Sequence, residues 1–131
     1  MSKPLVYIAG PISKPDPLVN TRAAVLLYQK LINDDVVTPF CPHLSILVPL
    51  VAGAATQDYD YWLKHDFEVI DHCQALYRMQ GESYGADQEI IHAAKIDIPV
   101  FYDLTNLYGW AGGFNRGSHP KGWMGARGWL G

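Results

Sequence analysis

The sequence predicts an α/β fold, a small doubly wound parallel sheet with flanking helices and its first strand central. Two observations carry this. Short apolar runs alternate with stretches of helical period over the first hundred residues, which is the pattern of strands joined by crossover helices. The first of these runs, Leu5 to Ala9, is continuously apolar and ends at Gly10-Pro11, as a strand covered on both faces does.

The elements follow in order. Asp16-Pro17 is an N-cap with proline at the first helical position. Leu18, Thr21, Val25, Tyr28 and Ile32 then recur at helical spacing, which predicts a helix from about Pro17 to Asn33. Val36-Val37-Thr38 is a short second strand that Pro39 stops. Residues 39–56 are irregular, with prolines at 39, 42 and 49. Their apolar content suits an ordered lid or a surface that faces a partner. Tyr61, Trp62, His65 and Val69 predict a helix from Asp58 to about His72. Gln74 to Met79 is a third strand, residues 81–85 a loop, Ala86 to Ile96 a helix, and Ile98 to Tyr102 a fourth strand. Residues 1–105 therefore make one α/β domain. Residues 106–131, rich in glycine and tryptophan and without a period, read as a tail: an oligomer arm or a disordered end.

Composition narrows the partners. A chain of 131 residues with net charge −3 and no basic stripe is a poor ligand for nucleic acid. Its opening apolar run is too short to be a signal core or a membrane span, so a cytoplasmic protein with no membrane partner is expected. Cys41 and Cys73 make no metal spacing and read as reduced structural thiols. His43, His65, His72 and His92 have no HExxH-like pairing, so no metal is expected and these histidines read as structural or surface groups.

In open α/β sheets the ligand crevice lies at the carboxyl ends of the strands, where the winding reverses. A strand order of 2-1-3-4 puts that reversal between the first and third strands. The loops leaving them are Gly10-Pro11-Ile12-Ser13 and Gln80 to Gly85. Neither is GxGxxG or GxxxxGK[ST], which excludes the usual dinucleotide and P-loop fingerprints. Ser83 and the first N–H groups of its helix suit an anion, and Ser83 equally suits a cap of its own helix. Glu89 lies four residues past Gly85, on the face that looks into this mouth. The same position also fits a glutamate that complements the helix dipole. Asp66 sits among other acidic residues (Asp58, Asp60, Glu68, Asp71), and Tyr7 in a buried strand needs a partner for its hydroxyl.

Two motifs carry a resemblance. Tyr7-Ile8-Ala9-Gly10-Pro11 after the first strand, and Ser83-Tyr84-Gly85-Ala86-Asp87-Gln88-Glu89 after the third, with Asp66 between them, resemble the nucleoside 2-deoxyribosyltransferase-like superfamily. The likeness covers roughly Leu5 to Asp103. It implies a Rossmann/flavodoxin-like fold and an N-glycosidic-bond enzyme that needs no cofactor. It further implies Glu89 as nucleophile, Asp66 acting near the leaving base and Tyr7 orienting the nucleophile. In the branch that cleaves nucleoside 5′-monophosphates, the position of Ser83 binds the 5′-phosphate, with Ser13 a second contact. Gly10, Pro11 and Gly85 would shape the substrate mouth, and Trp62 could stack on the base, although core packing suits it too. The chain departs from many relatives at Gln74, where they carry aspartate, and the segment from His43 to Trp62 resembles only uncharacterised members.

The expected function is hydrolysis of the N-glycosidic bond of a nucleoside 5′-monophosphate. The alternatives are a nucleoside deoxyribosyltransferase, a non-catalytic nucleotide sensor, which the change at Gln74 keeps open, and an interaction module built on the tail. The partners expected are a small nucleotide or nucleoside and a second copy of the chain, since relatives are dimers or higher homo-oligomers.

Overall fold

A computed structural model describes residues 3–53 and 57–114. Four parallel strands form one sheet in the order β2-β1-β3-β4. They are β1 (Leu5–Ala9), β2 (Thr38–Phe40), β3 (Ala75–Arg78) and β4 (Val100–Phe101). Five helices join and flank them: α1 (Pro17–Asp34), α2 (Leu47–Ala52), α3 (Tyr59–Ile70), α4 (Tyr84–Lys95) and α5 (Leu104–Gly112). A 3-10 turn, Pro42–Ile46, precedes α2. The doubly wound α/β class and the central position of β1 are as the sequence predicts.

Residue alternation along β1 assigns the two faces of the sheet. Val6 and Ile8 point to one side and pack with Ala24 and Leu31 of α1 and Leu107 and Ala111 of α5. Tyr7 and Ala9 point to the other and pack with Ile70 of α3 and Ala86 and Ala93 of α4. All four β1 residues are fully buried, which explains why the run is apolar throughout. Its one polar side chain, Tyr7, is thereby aimed between α3 and α4.

Each long helix starts on a side-chain cap of the residue type that sequence predicts. Asp16 accepts from the N–H groups of Leu18 and Val19 at 2.9 and 3.2 Å, and Asp58 accepts from Tyr61 at 2.9 Å. Ser83 accepts from Ala86 at 3.1 Å, and Asp103 from Asn106 at 2.8 Å.

Three expectations shift. The second strand is Thr38–Phe40 instead of 36–38 and includes Pro39. β2 lies at the sheet edge, where a missing N–H is tolerated. Within the irregular 39–56 segment, residues 42–52 form the 3-10 turn and α2, and residues 54–56 lie outside the described residues. The domain also runs past residue 105. Leu104, Leu107, Tyr108 and Ala111 recur at helical spacing in α5, and Leu107 is fully buried against the sheet. Glycines 109, 112 and 113 mask this period in the sequence. The rest of the tail, residues 115–131, lies outside the described residues. No helix among the described residues is long and apolar enough to cross a membrane.

Gln74 sits at the entry to β3, at the opposite end of the sheet from the loops that follow Ala9 and Arg78. Its carbonyl accepts from Leu5 N–H at 2.6 Å, its amide donates to His72 C=O at 3.2 Å, and it is 1% exposed. It ties the start of β3 to the start of β1, far from the loops that carry the candidate site.

Candidate active site

Three elements aim carboxylate and phenol groups at one point. β1 presents Tyr7 on the α3/α4 face. Glu89 lies in the second turn of α4, and Asp66 in the second turn of α3. The Tyr7 hydroxyl donates to Glu89 Oε2 at 2.7 Å in a buried setting. Asp66 faces the same pair closely enough for its charge to act on both. A glutamate that served only the helix dipole would face water. Glu89 is 5% exposed and turned inward.

Burial decides the electrostatics. It pushes the Glu89 carboxyl up to about 8, with the Asp66 charge adding to the rise, while the Tyr7 hydrogen bond and the Arg78 guanidinium oppose it. Burial also raises Asp66, against the opposing pull of His65 and of hydrogen bonds from Tyr7 and Glu89. Tyr7 is held well above its ordinary value by burial and then by the two carboxylates. Two adjacent carboxyls in a poorly solvated place share one proton at neutral pH, as like charges so close do not both ionise. Burial favours the proton on Glu89, the more deeply buried of the two.

Beside Asp66 opens a cleft of about 170 Å³. Trp62, His65 and Asp66 of α3 line one wall, and Phe40, Cys41, Pro42, Leu44 and Ser45 the other. Such a volume is below the usual range for a whole drug-sized ligand and suits one flat ring system. Trp62 is half-buried there, its ring edge-on to His65 with centroids 5.3 Å apart.

The loops leaving β1 and β3 meet, as the strand order requires. A Cβ on Gly81, whose φ is +114°, would lie 2.8 Å from Pro11 Cγ, and one on Gly10 would lie 3.0 Å from Met79 Cβ. Gly81 needs glycine for its left-handed backbone as well as for space, and Gly10 fits tightly against Met79. Gly85 faces Tyr59, whose hydroxyl would be 2.8 Å from an added Cβ but sits at the end of an exposed side chain that can move. Ser83 caps α4 with its oxygen as acceptor, which leaves the hydroxyl hydrogen for another partner. Ser13 is exposed on the loop after Pro11 and takes no part in the Tyr7–Glu89–Asp66 contacts.

Several participants escape sequence reading. Arg78, 8% exposed at the end of β3, donates to the carbonyls of Met79 and Gly81 and to Asp87 Oδ1 at 3.1 Å, pinning the second loop onto α4. An arginine closing an apolar strand was the available signal. His43 is fully buried, and its Nε2 bonds Pro11 C=O at 2.9 Å, which holds the first loop. This is the structural role expected of it. Tyr59 overhangs the mouth of α4 and carries no signal in the sequence. Among the described residues no group of three or more His, Cys, Asp or Glu side chains is arranged to hold a metal.

Compared with known proteins, the chain matches no family model, no curated protein and no solved structure.

Proposed function

We propose that this chain hydrolyses the N-glycosidic bond of a nucleoside 5′-monophosphate, with Glu89 as nucleophile. The observation that carries the proposal is the buried Tyr7–Glu89–Asp66 cluster beside a cleft of one base's size. Breaking the bond from C1′ to a base nitrogen needs electron density at C1′ and a proton on the base. A pair of carboxyls sharing one proton holds both. As the base departs with the bonding electron pair, the shared proton passes through Asp66 to the base. Glu89, now a carboxylate, bonds to C1′. Water then attacks C1′, the C1′–Glu89 bond returns its electrons to Glu89, and the water proton goes back to the pair. Tyr7 holds the Glu89 oxygen in line throughout. The Ser83 hydroxyl and the first N–H groups of α4 are the proposed phosphate contacts, with Ser13 a further one, across a mouth shaped by Gly10, Pro11 and Gly85. Trp62 provides the face for the base.

The test is a panel of ribo- and deoxynucleoside monophosphates and free nucleosides, with and without a second free base, and release of base followed by chromatography. Release from monophosphates alone is the expected result. Exchange onto the second base would instead identify a deoxyribosyltransferase, and binding without release a nucleotide sensor.

We also propose a homodimer, on the resemblance together with one observation. α2 consists wholly of apolar residues, Leu47–Ala52, and none of them is buried, with Leu50 64% and Val51 82% exposed. A helix apolar all round is ordinarily a covered helix. Light scattering should give twice the chain mass, and a monomer at micromolar concentration would overturn this.

A further inference from the structure

The chemistry proposed above sets two proton requirements at once: Glu89 must lose a proton to become a nucleophile, and the leaving base must gain one. Asp66 lines the cleft with a side chain only 16% exposed, and Glu89, 5% exposed, lies behind it. His65 is the next member outward. Its side chain is 46% exposed and lines the same cleft, and its Nδ1 lies 3.2 Å from Asp66 Oδ1. The ring is held by aromatic contacts, edge-on to Trp62 at 5.3 Å and tilted against Tyr61 at 6.4 Å. An ordinary surface histidine on a helix has no such brace and no buried carboxylate on one nitrogen. With Nδ1 turned to Asp66, Nε2 is the ring's other proton-carrying position.

We propose that His65 is the group from which the leaving base takes its proton, at the outer end of the chain Glu89–Asp66–His65. The inference rests on the N-glycosidase reading of the same site. The ring enters the step charged, with Nδ1–H donating to the Asp66 carboxylate and a second proton on Nε2. The Nε2 proton moves to the base nitrogen and leaves the ring neutral, while the proton held by Glu89 moves to Asp66, whose charge the ring no longer balances. Glu89 ends as a carboxylate bonded to C1′, and the C1′–N electron pair ends on the protonated base. Deprotonation of the nucleophile and protonation of the leaving group are one event along this line. Trp62 contributes by fixing the ring plane against the cleft.

The experiment compares two leaving groups on one sugar phosphate: the natural base, which must be protonated to leave, and 4-nitrophenolate, which leaves as an anion. Wild type, His65→Asn, His65→Gln and Glu89→Gln are assayed on both, with thermal melts to establish folding. His65→Asn keeps a donor near Asp66, and His65→Gln keeps one near the cleft, but neither can pass a proton through. Loss of a general acid costs about a hundredfold or more on the natural base, with less than about tenfold on the nitrophenyl substrate. Glu89→Gln should lose both substrates. Equal losses of the His65 variants on the two substrates, or no loss on either, overturn the role of His65 while leaving the glycosidase intact. A wild type that cleaves neither substrate, or a Glu89→Gln variant as active as wild type, overturns the glycosidase reading itself.

Discussion

Glu89→Gln is expected to lower base release at least about a thousandfold with little change in substrate affinity. Glutamine is nearly isosteric. Its amide oxygen can still accept from the Tyr7 hydroxyl, which now reaches Glu89 Oε2 at 2.7 Å. The geometry of the cluster is therefore retained, and what is lost is the capacity to form a bond to C1′ and to hand on a proton. Removing a nucleophile from an otherwise intact site costs several powers of ten in turnover. Uniform binding through the phosphate and the base would remain, so the loss should fall on kcat and spare KM. A variant within tenfold of wild type in a chromatographic assay would remove Glu89 from the chemistry. Tyr7→Phe should sit between the two, since it takes away one hydrogen bond from Glu89, the proposed nucleophile, and leaves the carboxylate in place.

Much of this site is legible in the sequence, for a reason that lies in periodicity. Alternation along β1 puts Tyr7 on the opposite face from Val6 and Ile8, and helical spacing puts Glu89 one turn inside the mouth that Gly85 opens. Those two periods, with the strand order, bring residues 82 positions apart into hydrogen-bond contact. The edge of the sheet was less legible. Pro39 reads as a stop in any strand, and only the edge position of β2 makes it acceptable. Likewise α5 hides behind glycines that weaken its pattern without abolishing its packing face. The parts not legible depend on docking. Whether Tyr59 overhangs Gly85, whether His43 reaches Pro11, and whether Arg78 turns to Asp87 are set by how helices and loops settle on the sheet. No spacing rule within one segment encodes them. The two readings of Glu89 were separable only by burial, which is a property of α3 and α4 together.

The same substitution at Glu89 should also stabilise the fold at alkaline pH. In the folded chain this carboxyl keeps its proton up to about pH 8, against 4.5 for an ordinary glutamate. The folded state thus binds the proton more tightly than the unfolded state. Its contribution to stability is full below pH 4.5 and declines as the pH rises to about 8, where ionisation of the buried group is finally forced. The slope is up to about 1.4 kcal/mol per pH unit across that window, and the total is on the order of a few kcal/mol. Asp66, raised in the same direction, reinforces the decline. His43 acts oppositely below its ordinary value, because burial depresses it and acid must charge it. His43 is present in both proteins, so the difference between two melting profiles reports Glu89 together with its effect on Asp66. From pH 5 to 9 the wild type should lose on the order of 5–10 °C relative to Glu89→Gln, and the variant should be the more stable of the two at the alkaline end. Parallel profiles would mean that Glu89 ionises like a surface carboxylate, and then no proton is stored beside the cleft. A buried glutamate that costs stability at neutral pH, and whose neutral replacement is expected to relieve that cost while ending catalysis, has the energetic signature of a group kept for its chemistry.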